Sequence, residues 1–148
     1  NSKAQGILIA KKNSIPYAII NTKKRNFENI ILKKMKEHRI SLICLAGYMK
    51  ILSKKFIQNC RKKIINIHPS LLPKFKGLNT FERILKNKEK LAGCTVHFVN
   101  NKLDSGFIIT KKSFFVDKKD DIKSLKEKTQ SLEYRAYSES MIKIFRYN

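Results

Sequence analysis

At 148 residues the chain is long enough to bury one continuous core and too short for two ordinary domains. Its 42% hydrophobic content suits a soluble globular protein, no apolar run nears the roughly 20 residues that cross a bilayer, and the first residues lack a charged-then-apolar signal pattern. The net charge of +22 favours anionic small substrates, but lysines spread over the whole chain carry it, not arginines clustered with aromatics, so no nucleic acid is expected as partner.

Residues 3–12 carry an Ile/Leu stripe and read as a short helix that Ser14 and Pro16 end. Residues 15–20 read as a strand. Asn26 is placed to cap a helix over 27–38, where Phe27, Ile30, Ile31 and Met35 recur at helical spacing. The run SLICLAG, residues 41–47, is too short for a helix and reads as a strand buried on both faces of a parallel sheet. Ser53 caps a helix over 54–60, and a strand follows over 64–67. Asn79 or Thr80 opens a helix that ends near Lys88. Residues 94–99 and 106–116 are two strands joined by a polar turn, expected to pair antiparallel. Asp120 and Asp121, whose charge suits a helix N-terminus, start a long helix to about Phe145.

Alternating strands and helices in the first half imply an α/β fold with a parallel sheet and right-handed crossovers, extended at one edge by the hairpin. Residues 1–148 show no repeat or linker and are read as a single domain. Cys44, Cys60 and Cys94 are odd in number and lack metal-ligand spacing, so reduced thiols in a cytoplasmic protein are expected.

In such sheets, ligands bind outside the carboxyl ends of the strands. The stretch GYMKIL, residues 47–52, follows one strand there, and Asn66 and His68 end the next. Two residues apart on a strand, they point to the same side. Pro69 fixes the backbone after them, and Pro73 and Gly77 shape the loop beyond. An amide and an imidazole converging at a strand end suit acyl-group transfer. The amide N–H stabilises a developing oxyanion, and the histidine donates a proton or, kept charged, stabilises the same oxygen. Asp104, in the turn NNKLDSG, is the candidate carboxylate to orient His68. The competing reading makes Asn66 and His68 partners of loop backbone groups and Asp104 an Asx-turn former. His97 is read as a satisfied histidine of the core or one supporting the site. His38 is read as a cation at a helix C-terminus, and Met49, at a strand end, as core.

The segments LAGYMKILS, INIHPSLLPKFKGLNTF, GCTVHFVNNKLDSG and TQSLEYRAY resemble the phosphoribosylglycinamide formyltransferase family, without gaps from about residue 18 to 145. The Asn-Ile-His set with its downstream Asp marks the wider formyl-transfer and formyl-hydrolysis superfamily. Pro69 and the GLNT of residues 77–80 favour the ribonucleotide enzyme. The resemblance implies a Rossmann-like, mostly parallel sheet with helices on both faces and a C-terminal antiparallel hairpin. It implies formyl transfer from 10-formyltetrahydrofolate, as co-substrate, to the amino group of glycinamide ribonucleotide in IMP synthesis. The amine attacks directly, with no covalent enzyme intermediate and no metal. Asn66 and His68 would hold the oxyanion, and Asp104 would pair with His68 and help remove the amine proton. Met49, Lys50, Ile51, Leu52, Asn66 and Lys24 (or Arg25, one position on) would contact the folate, with the loop 100–104 closing its other wall. Gln130 and Glu133 would lie near the ribonucleotide. A cis peptide is implied at Leu72–Pro73, in a monomer or homodimer with no membrane partner.

The family opens with a strand, a Gly-Ser-Asn phosphate loop, a helix and a second strand. None is found here, and Gly6 lies inside a helical run. The chain, beginning at Asn1, is therefore expected to be an N-terminally truncated piece that binds the acceptor's phosphate poorly. The alternatives are a formyltetrahydrofolate hydrolase, a methionyl-tRNA formyltransferase (disfavoured because no second domain follows residue 145), and an inactive fragment binding polyanions non-specifically.

Overall fold

Two helices on one side of a four-stranded sheet and a long helix on the other follow from where the apolar residues recur. The computed structural model describes residues 4–61 and 63–146. Helix α1, Gln5–Lys12, begins short of the expected residue 3, which lies outside the described residues, and buries no side chain. Helix α2, Phe27–Glu37, buries Met35 against Phe56 and Cys60 of helix α3, Lys54–Cys60. That cluster covers the sheet face of Ile64 on the strand Lys63–His68. Its neighbour Ile65 points to the opposite face, where the long helix Ile122–Arg146 lays down Ala136 and Ile144. The shorter helix Thr80–Lys86 seats Ile84 beside Ala92 and Leu125.

In chain order the strands are β1 (Leu42–Leu45), β2 (Lys63–His68), β3 (Leu91–Phe98) and β4 (Ile108–Phe115), and they lie in that order in the sheet. The last two helices are α4 (Thr80–Lys86) and α5 (Ile122–Arg146). The α/β class, the helices on both faces and the C-terminal hairpin are as expected. The sheet of the described residues is mixed rather than mostly parallel. Only β1 and β2 run parallel, and β3 is antiparallel to both β2 and β4.

Three local expectations are corrected. Residues 15–20 do not join the sheet, and Ile15, Tyr17 and Ile19 are 49–55% exposed. A strand is stabilised by its ladder, and β1 carries no second partner among the described residues. For the same reason β1 is not buried on both faces. It is an edge strand with Cys44 exposed and Leu42, Ile43 and Leu45 half-buried. Asn26 makes no capping bond, because its backbone (φ −100°, ψ 16°) is outside the extended region a capping residue adopts. Ser53 does cap α3, its Oγ accepting from Phe56 N at 3.0 Å.

Helix α5 starts on a reciprocal cap. Asp121 Oδ1 accepts from Ser124 N at 2.7 Å, and Ser124 Oγ accepts from Asp121 N at 3.0 Å. Asp120 beside it takes the Lys128 ammonium at 2.7 Å. The Lys128 hydrogen bond, then the Asp117 amide and the Ser124 hydroxyl, hold its carboxyl down at about 2, against 3.8 ordinarily. A carboxyl whose folded pKa is depressed stabilises fully above the unfolded value, and that contribution is lost as pH falls from about 3.8 through about 2. Thermal midpoints measured from pH 5 to pH 2 should therefore drop less steeply for Asp120→Asn than for the unsubstituted protein. Parallel curves would show the contacts contribute nothing.

Candidate active site

The β2–β3 register builds the site. Asn66 stands opposite His97 and His68 opposite Thr95, so all four side chains share the face that Ile64 presents to α3. Beyond β1, Gly47 (φ +64°) takes a left-handed turn that glycine allows, starting the loop 47–52. Lys50, Ile51 and Leu52 of that loop, with Asn66, His97 and Asp104, line a cavity of about 100 Å³ that also reaches Tyr48 and residues 99–103.

Asp104 occupies a left-handed turn (φ +44°) just before the close β3–β4 approach at Gly106. Its Oδ2 accepts from Gly77 N at 2.8 Å and lies 3.4 Å from His68 Nδ1, while Oδ1 lies 3.7 Å from His97 Nε2. The Asx turn of this loop belongs instead to Asn100, whose Oδ1 accepts from Lys102 N. Asp104 thus bridges two loops and two imidazoles.

His68 is 6% exposed, and its Nε2 lies 2.8 Å from the Phe75 carbonyl. Both ring nitrogens therefore face acceptors, an arrangement in which both act as donors only when the ring is an imidazolium. His68 stands behind Asp104 rather than on the cavity wall. For its Nε2 the loop-backbone reading also holds. Thr95 secures this loop from below, its Oγ donating to Ser70 O at 2.6 Å and accepting from Leu72 N at 3.1 Å. The Leu72–Pro73 peptide is cis, as the resemblance implied.

His97 is 2% exposed, and burial holds it below the ordinary imidazole range against the opposing pull of the Phe98 carbonyl and the Asp104 carboxylate. Kept neutral, with Nδ1–H donating to Phe98 O at 2.9 Å, it offers Nε2 as acceptor to the Asn66 amide 3.4 Å away. One N–H of Asn66 is thereby oriented, and the other remains for a ligand. His97 is both core and site. The alternation in CTVHF carries it and Thr95 to one face, but only the register with β2 shows which face that is.

The other expected site residues are placed less directly. Leu52 is buried, while Met49 and Ile51 are 75% and 80% exposed and Met49 does not line the cavity. Lys50 turns back to donate to Thr22 O at 2.7 Å and lies over the Phe27 ring at 5.3 Å. Lys24 and Arg25 are exposed in the turn before α2. Gln130 and Glu133, on α5, do not border the cavity. Glu133 is half-buried, which raises its carboxyl, and its charge adds to the burial that pushes the Cys94 thiol up to about 12.

An amide, a carboxylate and two histidines thus gather in an α/β fold beside the carboxyl end of β2, walled by the loop after β1. The chain belongs to the formyl transferase family, whose pattern matches residues 1–141. It is 40% identical over 140 residues to the phosphoribosylglycinamide formyltransferase of Haemophilus influenzae, which covers 90% of this chain and 65% of that protein. It is 38% identical over 136 residues to the human trifunctional purine biosynthetic protein adenosine-3, covering 89% of this chain and 14% of that one. The crystal structure of phosphoribosylglycinamide formyltransferase from Campylobacter jejuni superposes with a TM-score of 0.89 at 40% identity, over 98% of this chain and 77% of that one. The chain thus spans just under two thirds of the Haemophilus relative.

Proposed function

We propose that the protein transfers a formyl group from a 10-formyl folate to the amino group of glycinamide ribonucleotide, a cytosolic step of purine synthesis. Residues 1–148 act in it as one formyl-handling domain. The observation that carries this reading is the convergence of Asn66, His97 and Asp104 on one cavity, with His68 paired behind the carboxylate. The names of the relatives favour the transferase over the hydrolase.

In this reading the folate lies against Leu52 and Ile51, with Lys50 and Met49 at its edge. Lys24, or Arg25 one position on, stands near the folate in the adjoining turn, and Gln130 and Glu133 serve the ribonucleotide. The amine attacks the formyl carbon. The free N–H of Asn66 and the charge on His68 stabilise the oxyanion that forms, and Asp104 both supports the His68 charge and assists removal of the amine proton. His68 reaches the oxyanion once its bond to the Phe75 carbonyl gives way. The excess of lysines draws both anionic substrates toward the protein.

A spectrophotometric assay with a 10-formyl folate, run with and without glycinamide ribonucleotide, tests the proposal. Turnover that depends on the amine is expected. Equal turnover without it would assign the hydrolase instead.

A further inference from the structure

The wall of the cavity is held from outside, by a residue that neither the motif nor the strand-end pattern singles out. Helix α3 starts at Ser53, directly after the cavity-lining Leu52. A capping box would place Glu or Gln at the third helical position to accept from the backbone N–H of the capping serine. Here that position is Phe56, 2% exposed and committed to the core. The first turn of α3 has no acidic residue and carries Lys54 and Lys55, the wrong sign for a helix N-terminus.

Glu28, 25 positions earlier in the first turn of α2, supplies what is missing. Its Oε1 accepts from Ser53 N at 2.8 Å and its Oε2 from Ser53 Oγ at 2.5 Å, while the same Oγ accepts from Phe56 N. The carboxylate thus serves the cap of α3 and sits in the favourable first turn of its own helix. At the other side of the loop, Lys50 is tied to Thr22 O and the Phe27 ring. Both anchors of residues 50–53 are therefore on or just before the start of α2. Tyr48, half-buried in this loop, has a hydroxyl that is enclosed without a hydrogen-bond partner among the described residues.

We propose that Glu28 is a positioning residue for folate binding: it locks Ser53 and so holds the wall formed by Lys50, Ile51 and Leu52 in its binding shape. This rests on the folate reading of the cavity. Glu28 touches no reacting atom, so its loss acts on affinity and leaves the chemical step nearly intact.

The test compares Glu28→Ala, Glu28→Gln and the unsubstituted protein by two measurements. The first is amide hydrogen exchange over residues 50–54 without ligand. The second is steady-state kinetics and titration with the stable analogue 10-formyl-5,8-dideazafolate. For Glu28→Ala, loss of two charge-assisted bonds should speed exchange at these amides by about 10-fold and raise KM and Kd for the analogue by about 10-fold, with kcat within about 3-fold. Glu28→Gln keeps an oxygen for Ser53 N and an N–H for Ser53 Oγ, and should restore both values to within about 3-fold. Unchanged exchange in Glu28→Ala would overturn the clamp. Faster exchange with unaltered KM would overturn its role in binding. An unsubstituted protein that binds no analogue would overturn the folate reading itself, and the exchange measurement would still judge the clamp.

Discussion

Replacing Asp104 with asparagine is expected to lower formyl transfer by about 1,000-fold while leaving the fold intact. The amide can still accept from Gly77 N, now 2.8 Å from Oδ2, so the contact between the two loops persists. What disappears is the negative charge 3.4 Å from His68 Nδ1 and 3.7 Å from His97 Nε2. In the proposed reaction that charge orients His68 and accepts the amine proton, and both are lost together. The loss should appear in kcat, with the thermal midpoint displaced by only a few degrees. A variant within about 10-fold of normal turnover would refute the role given to Asp104.

The second large effect is on stability. A Cβ at Gly106 would lie 1.6 Å from the Phe98 carbonyl oxygen, a backbone atom that cannot step aside without opening the β3–β4 end. That end is closed by the bond from Phe98 N to Phe107 O at 2.8 Å. Gly106→Ala should therefore cost about 3 kcal/mol or more in urea unfolding, at the severe end for a single substitution. Activity should fall with it, since Asp104 sits two residues before the glycine and takes its left-handed turn from the same loop. The two variants thus separate: Asp104→Asn loses chemistry with little stability, and Gly106→Ala loses both. Normal stability in Gly106→Ala would show that the β3–β4 approach is not rigid.

Strand-end chemistry was legible in the residues themselves. Period-two alternation sends Asn66 and His68 to one face, and Pro69, Pro73 and Gly77 announce the loop that frames them. Ser53 was legible as a cap because a serine directly before a helical run is a common helix start, and its backbone is the extended one a cap needs. What could not be read depended on distant neighbours. LICL looks the same whether a strand is central or at an edge, and only the sheet order exposes Cys44. Residues 15–20 have strand chemistry but find no ladder. Asn26 has the right side chain on the wrong backbone. His97 joins the site through the β2–β3 register, and Glu28 reaches Ser53 across 25 positions, a separation no local pattern encodes. That His68 stands behind Asp104, held by the Phe75 carbonyl, likewise emerges only when the loop is closed.

In the proposed reaction Asn66, His68 and Asp104 pass a formyl group to an amine rather than to water. The most direct measurement follows a 13C-labelled formyl group from 10-formyltetrahydrofolate by NMR, in the presence of protein and glycinamide ribonucleotide. The label is expected to appear as the N-formyl group of the ribonucleotide. Label recovered as free formate, with the ribonucleotide unmodified, would assign the hydrolase instead.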